Sequence, residues 1–562
     1  MHARIALALL FVAASAGSVG SAPPEKASGA VWPEGFLESL ENHADPAAVL
    51  RVMERALDGT MPPAARLSGP APRTSTSGDA RTFHGPRREY ADVPIAADPG
   101  LSENRPAVAT SPRHSSVVVS AYVAAPFPIP ETRCLVTHSL DRGSTWSAPV
   151  FLPMLTGTSL CDSPVLAYSS NGRTLFSVYR DFKSGATSLE PPPGGGTRTR
   201  IVQKTDVLLS RSEDDGRTWS ASVLAIEGDG WSFVRECVSG VCTILDSDPG
   251  ETLERPTLAT APEAHASGRI YVAANGVAML QPPDAPPTAI LFARSRDGGR
   301  HWSARTALAE GVPGTPAVVV QGGRVAAGPW GEVLVAWYDS GTDGLRQGTF
   351  EIRTRRSGDH GKSWDDSVSA VVNEGELGLN LGPAPTLKTW WTGMFPDVAV
   401  DGFGRAHLAY THDPELGHTT AEEGDIRYVT SPRCPFRAWS SPVTVNDDGS
   451  GRAQGFPSLA VRRVGPFPIL EVVWEDSRLA PAGNLAYDIF HSRLLPGRWF
   501  SWSCNRRVTD VSSTQDGVST GDRTGLAANP SGLIFAVWTD RRDKASTGDG
   551  EDDVHGSRIA PW

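Results

Sequence analysis

The chain has 562 residues, a formal net charge of −11 and six cysteines. That length allows one large β-domain with an appendage, and an acidic balance without any Lys/Arg run argues against nucleic acid as a partner. Beyond the first residues no segment is long and apolar enough to span a bilayer.

The chain opens like a signal peptide. His2 and Arg4 precede an apolar run from Ile5 to Ala14, and Gly20-Ser21-Ala22 offers a small-residue cleavage site. A membrane-spanning anchor is the alternative, although the run is short for one. Residues 1–22 are thus expected to be a leader, and the mature protein secreted or periplasmic. Residues 23–60 read as a helical extension: Asp45 caps, Pro46 starts the first turn, Val49, Leu50, Met53 and Leu57 share a face, and Gly59 stops it. Residues 61–88 shift to Pro, Ser, Thr, Gly and Arg, the composition of a linker.

From residue 89 onward the chain repeats. Each unit begins with a short strand around a proline: Asn104-Arg105-Pro106, Asp162-Ser163-Pro164, Glu254-Arg255-Pro256, Gly314-Thr315-Pro316, Phe395-Pro396 and Phe456-Pro457, with a weaker seventh at Thr524. A strongly apolar strand follows, as in Glu332 to Asp339, Leu470 to Asp476 and Ile534 to Asp540, and then a third strand. Four of the units then carry S-x-D-x-G-x-x-W: Ser139 to Trp146, Ser212 to Trp219, Ser295 to Trp302 and Ser357 to Trp364. An Asp there accepts hydrogen bonds from following N–H groups, a Gly takes positive φ, and the Trp returns a large ring to neighbouring strands. These acids are expected to serve turns rather than chemistry. In the fifth and sixth units the turn has decayed, leaving Trp439 and Trp502.

The pattern is that of the Asp-box, or bacterial neuraminidase repeat, and the chain resembles the secreted β-propellers of the sialidase-like superfamily that carry it. The expected fold is all-β: a propeller over residues 89–562, with seven four-stranded blades favoured and six, as in sialidases, the alternative. The last unit ends after three strands, and Tyr90 to Ala97 is a candidate for its fourth, closing the ring from the other terminus.

In an up-and-down blade the two-to-three links and the links between blades share one face. The long insertions all fall there: 183–200, 227–251, 281–287, 340–348, 374–393 and 414–424. Long loops on one end of a rigid scaffold mark a binding surface. Strand two repeatedly ends in an acid on that face, at Asp181, Asp339, Asp413, Asp476 and Asp540, with Arg180, Arg478, Arg541 and Arg542 nearby. Arg105 and Arg255 precede the prolines of strand one. One reading makes the acids inter-blade ion pairs, which suits Asp476 and Asp540. The other makes them a catalytic set, in which Asp339, Tyr338, Asp181 and Asp476 act on a substrate held by Arg105, Arg255 and Arg478.

The sialidase resemblance implies an arginine triad for a substrate carboxylate, a Tyr nucleophile assisted by Glu, and an Asp acid/base. The family's first arginine lies in Arg-Ile-Pro, whereas Arg105 meets Pro106 directly. Tyr338 and Glu475 are candidates for the Tyr and Glu by position. The function expected is an exo-acting glycoside hydrolase on extracellular glycans, the alternative a non-catalytic carbohydrate- or protein-binding propeller. The partner is a glycan or glycoconjugate and the protein a monomer.

No cofactor is expected. The acids Asp549, Glu551, Asp552 and Asp553 could hold a structural Ca²⁺ or form an exposed turn. His412, His418 and Glu422 match no zinc spacing. Trp390 and Trp391 could stack on a sugar or cover the core. Six cysteines allow fifteen pairings; Cys237 with Cys242, Cys434 with Cys504 and Cys134 with Cys161 is the favoured set.

Overall fold

A computed structural model describes residues 90–560 except for several loops, the longest being 375–395, 413–423, 514–523 and 543–551. The leader, the helical extension and the linker expected before residue 89 lie outside the described residues, as do Asp413, His418, Glu422, Trp390, Trp391, Asp549 and Glu551.

Strong apolar alternation produces seven antiparallel sheets, one per repeat. Blade one runs Leu101–Thr110, Val118–Pro126, Arg133–Ser139 and Val150–Phe151, and blades three to six repeat this order from the inside outward. Blade seven takes Thr524–Ala528, Ile534–Asp540 and Asp553–Ile559 from the C-terminal end, and Val93–Ala96 as its outer strand. The expected closure from both termini is therefore what the chain does. Innermost strands touch their neighbours all the way round, and Leu101–Thr110 meets Thr524–Ala528 to complete the ring. The core lies between blades, as a series of apolar clusters that each join adjacent sheets.

Blade two departs from the plan. Its second and third strands lengthen to Leu175–Leu189 and Thr197–Ser212, and an extra hairpin, Trp231–Val238 with Val241–Asp248, adds to the lengthened part. Two of the long insertions thus form an ordered sheet extension. Ile201, Trp231 and Phe233 seat it on Met279 of blade three.

The four S-x-D-x-G-x-x-W turns share one geometry. The Ser hydroxyl accepts from the Gly N–H (Gly143, Gly216, Gly299 and Gly361, 2.8–2.9 Å) and donates to the Asp. The Asp accepts a backbone N–H four residues on, from Thr145, Thr218, His301 or Ser363. Each Gly has positive φ, and a Cβ there would strike the preceding blade: Phe535, Val119, Leu209 or Phe292. The Trp lands on that same blade, Trp146 edge-on to Phe535 and Trp364 edge-on to Phe292. Each turn thus locks its blade to the one before. The Thr145 hydroxyl, ahead of its other donors, holds the Asp141 carboxyl down to about 2. That contribution is complete above the ordinary carboxylate pKa and is lost as pH falls through the folded value. Replacing Asp297 by Ala should cost about 1–2 kcal/mol through lost turn hydrogen bonds, read as a lower melting temperature.

A disulfide joins Cys134 in the third strand of blade one to Cys161 in the first strand of blade two, stapling adjacent blades. Cys237 is disulfide-bonded and stands opposite Cys242 in strand register. The expected staple between blades five and six is not made. Cys504 is a free, exposed thiol, and Cys434 lies outside the described residues.

Candidate functional site

Four of the six X-Pro openings of strand one are β-bulges. Register shifts fall between Asn104 and Ala107, Asp162 and Val165, Glu254 and Thr257, and Gly455 and Ser458. The residue before each proline has positive φ: Arg105 at 52°, Ser163 at 51°, Arg255 at 47° and Phe456 at 55°. Non-glycine residues seldom adopt that region, and a residue before proline is further restricted. A bulge re-aims the side chain it carries, and such strain gathers at functional sites.

Re-aimed in this way, Arg105 reaches across to the next inner strand and pairs with Asp162, Nη1 to Oδ1 at 2.5 Å. Arg180 meets the other Asp162 oxygen at 2.9 Å and approaches Glu254 at 3.9 Å. One line of alternating charge therefore joins blades one, two and three at their inner edge. Arg105, Asp162, Arg180, Glu254 and Arg255 are all buried, and Glu103 fully so. Blade seven extends the arrangement, since Arg541 pairs with Asp552 and the Asp552 carbonyl accepts from Glu103 N–H at 2.6 Å. Asp552 is thus engaged in an ion pair. Such a wall can hold a carboxylate between guanidinium groups and keep acids beside it for proton transfer.

The other candidates lie elsewhere. Asp476 accepts the Trp474 indole N–H at 2.8 Å and a two-pronged grip from Arg478, which also reaches Asp447 at 2.9 Å in the link from blade five. Asp540 repeats this with Trp538 and Arg542, and Arg542 holds Asp92, just before the closing strand, at 2.8 Å. In blade two Asp181 keeps the cation, as Lys183 at 3.3 Å, which also meets Asp206 of the same blade at 2.9 Å. The Asp476 and Asp540 units latch inter-blade links.

Asp339 has no cation two residues on. It accepts from Gly341 N–H at 2.9 Å, among the described residues its ion-pair partner is Arg353 at 4.0 Å, and burial pushes its carboxyl up. Tyr338 is buried in the core between blades four and five, tilted against Phe350. Glu475 is buried beside Tyr487, whose hydroxyl donates to the Thr539 carbonyl at 2.5 Å. Sequence reasoning passed over Glu103, Asp162 and Glu254 as site residues. Asp162 and Glu254 had a signal, since each stands directly before an X-Pro bulge. Among the described residues no cluster of three or more His, Cys, Asp or Glu could hold a metal ion, and no helix is long and apolar enough to cross a membrane.

Together these features define a seven-bladed β-propeller with a charged inner wall on one side of the ring. No protein-family model matches the sequence, and no curated protein does. Solved structures are similar in fold. A protein of unknown function from Dyadobacter fermentans is 16% identical over 72% of this chain and 97% of that one, with a TM-score of 0.42. An α-L-arabinofuranosidase of Fusarium graminearum, bound to an iminosugar inhibitor, is 14% identical over 70% of this chain and 91% of that one, with a TM-score of 0.40. A Hadza microbial sialidase is 12% identical over 84% of this chain and 96% of that one, with a TM-score of 0.39. These neighbours include glycoside hydrolase propellers, and the likeness is one of fold.

Proposed function

We propose that the protein is an exported Asp-box propeller that acts on extracellular glycans as an exo-acting glycoside hydrolase. The single observation that carries this reading is the buried wall in which Arg105, Asp162, Arg180 and Glu254 join three adjacent inner strands. A scaffold needs no row of strained bulges to stay closed, whereas a site that must present guanidinium groups to a substrate carboxylate does. Arg105, Arg180 and Arg255 would hold the substrate. Asp339, whose carboxyl burial pushes up, would serve as the acid contributed from the rim.

A panel of fluorogenic glycosides, sialosides included, tests the reading. At least one should be turned over, and Arg105→Ala should lower kcat/KM at least about 100-fold for the folded fraction, with a lower melting temperature as well because Asp162 loses one partner of a buried ion pair. No turnover across the panel would sink the hydrolase. One observation favours a second reading, a carbohydrate-binding propeller: Asp162 is clamped between two arginines, which suits recognition better than proton transfer. Glycan binding without turnover, lost in Arg105→Ala, would establish that alternative.

A further inference from the structure

The face opposite the charged wall, where the S-x-D-x-G-x-x-W turns lie, holds a cleft at the junction of blades two and three. In all four turns the residue between Asp and Gly has left-handed backbone: Arg142 at 66°, Asp215 at 58°, Gly298 at 72° and His360 at 63°. In two of the three turns where that residue has a side chain, it bonds to its surroundings. Asp215 accepts from the Tyr168 hydroxyl at 2.8 Å and meets His114 at 2.7 Å. His360 meets the Tyr271 hydroxyl at 3.2 Å and the Arg269 guanidinium. Gly298 has no side chain to do this. A Cβ built there would meet nothing nearer than the Arg300 guanidinium at 3.8 Å. The result is a cleft of about 300 Å³ between blades two and three, whose lining includes Asn171, Arg211, Glu213, Asp297, Gly298 and Arg300.

That volume is at the small end of ligand sites, enough for one ring-sized molecule. Two guanidinium groups and two carboxylates line it, so formal charge balances and neither a polyanion nor a cation is favoured. Asp297 spends Oδ1 on turn N–H groups and Oδ2 on the His301 imidazole, Arg211 donates to the Gly298 carbonyl at 3.3 Å, and Arg300 donates to the Asp297 carbonyl at 2.9 Å. Glu213 forms no ion pair or hydrogen bond among the described residues, and the Asn171 amide nitrogen likewise donates to nothing there. The cleft thus offers a carboxylate acceptor and amide and guanidinium donors around a small neutral space. Adjacent hydroxyls, which donate and accept together, match that set.

We propose that this cleft is a second binding site, for a single uncharged sugar ring, separate from the charged inner wall. The site does not depend on the hydrolase reading, since it shares no residue with the wall.

Calorimetric or NMR titration with glucose, galactose and L-arabinose, and with sulfate and glucuronate as charged comparators, tests it. The wild type and Arg105→Ala should both bind at least one neutral sugar in the millimolar range. Gly298→Asp installs the residue that Asp215 already is at the equivalent turn, and should weaken that binding at least about ten-fold. Glu213→Ala should do the same without touching backbone geometry, and decides the matter if Gly298→Asp does not fold. The proposal is overturned if no neutral sugar binds, if binding survives both cleft variants, if Arg105→Ala abolishes it, or if only the anions bind.

Discussion

Deleting the chain to residue 100 should lower its melting temperature far more than deleting it to residue 85. The difference between the two truncations is Val93–Ala96 and its flanks, the outer strand of blade seven. Ile95 and Ala96 are buried in a cluster with Val118, Phe535 and Val554, drawn from blades one and seven. Asp92 takes the Arg542 guanidinium at 2.8 Å and the Asp510 N–H at 2.8 Å. Removing these groups uncovers apolar surface, leaves Asp553–Ile559 as an open edge and strips a buried cation of one partner. The summed cost is about 4–6 kcal/mol. Equal melting temperatures for the two truncations would show that the ring closes without this strand.

Glu471→Ala should destabilise by about 3–5 kcal/mol, the usual result of breaking a buried charge cluster from one side. Glu471 is fully buried in blade six and engages Arg462 at 2.6 Å, His491 at 2.7 Å and Arg493 at 3.1 Å. Arg493 also donates to the Ala560 carbonyl at 2.8 Å, carrying the cluster into blade seven. Without the carboxylate, two guanidinium groups and an imidazole remain in a dry junction. Chemical denaturation would measure the loss, and glycoside turnover by the folded fraction should not change. A loss below about 1 kcal/mol, the range of an exposed pair, would refute the account.

The same cluster sets a pH trend. Burial pushes the His491 pKa down, as it does for His407 in blade five. A histidine whose folded pKa lies below its unfolded value binds fewer protons when folded, so stability falls as pH drops through the ordinary histidine range. The partners facing His491, Glu471 and the cations Arg493 and Arg506, do not reverse that sign. Unfolding curves between about pH 7 and 5 should show the decline.

Several features were legible in the sequence because their causes are local. The turn Ser, Asp, Gly and Trp stand within eight residues, and their hydrogen bonds follow from that spacing. Alternation of apolar residues fixed the strands, and a three-stranded final unit implied a strand supplied from the other end. The ion pairs of Asp476 and Asp540 were legible too, since each arginine stands two residues away in sequence.

Other features had no local cause. The third strand of blade one and the first of blade two bring Cys134 and Cys161 to a Cα separation of 5.4 Å, whereas Cys504 finds no thiol. The position of Tyr338 followed from strand parity against blade five, which sequence periodicity leaves two-fold ambiguous. The wall of Arg105, Asp162, Arg180 and Glu254 needed the bulges. A positive φ before proline is not a preference of Arg or Ser; it is imposed where neighbouring strands over-determine the backbone. The sequence by itself determined the repeat, its turns and its closure. Which charges meet at the inner edge was decided only when the ring brought strands of different blades side by side.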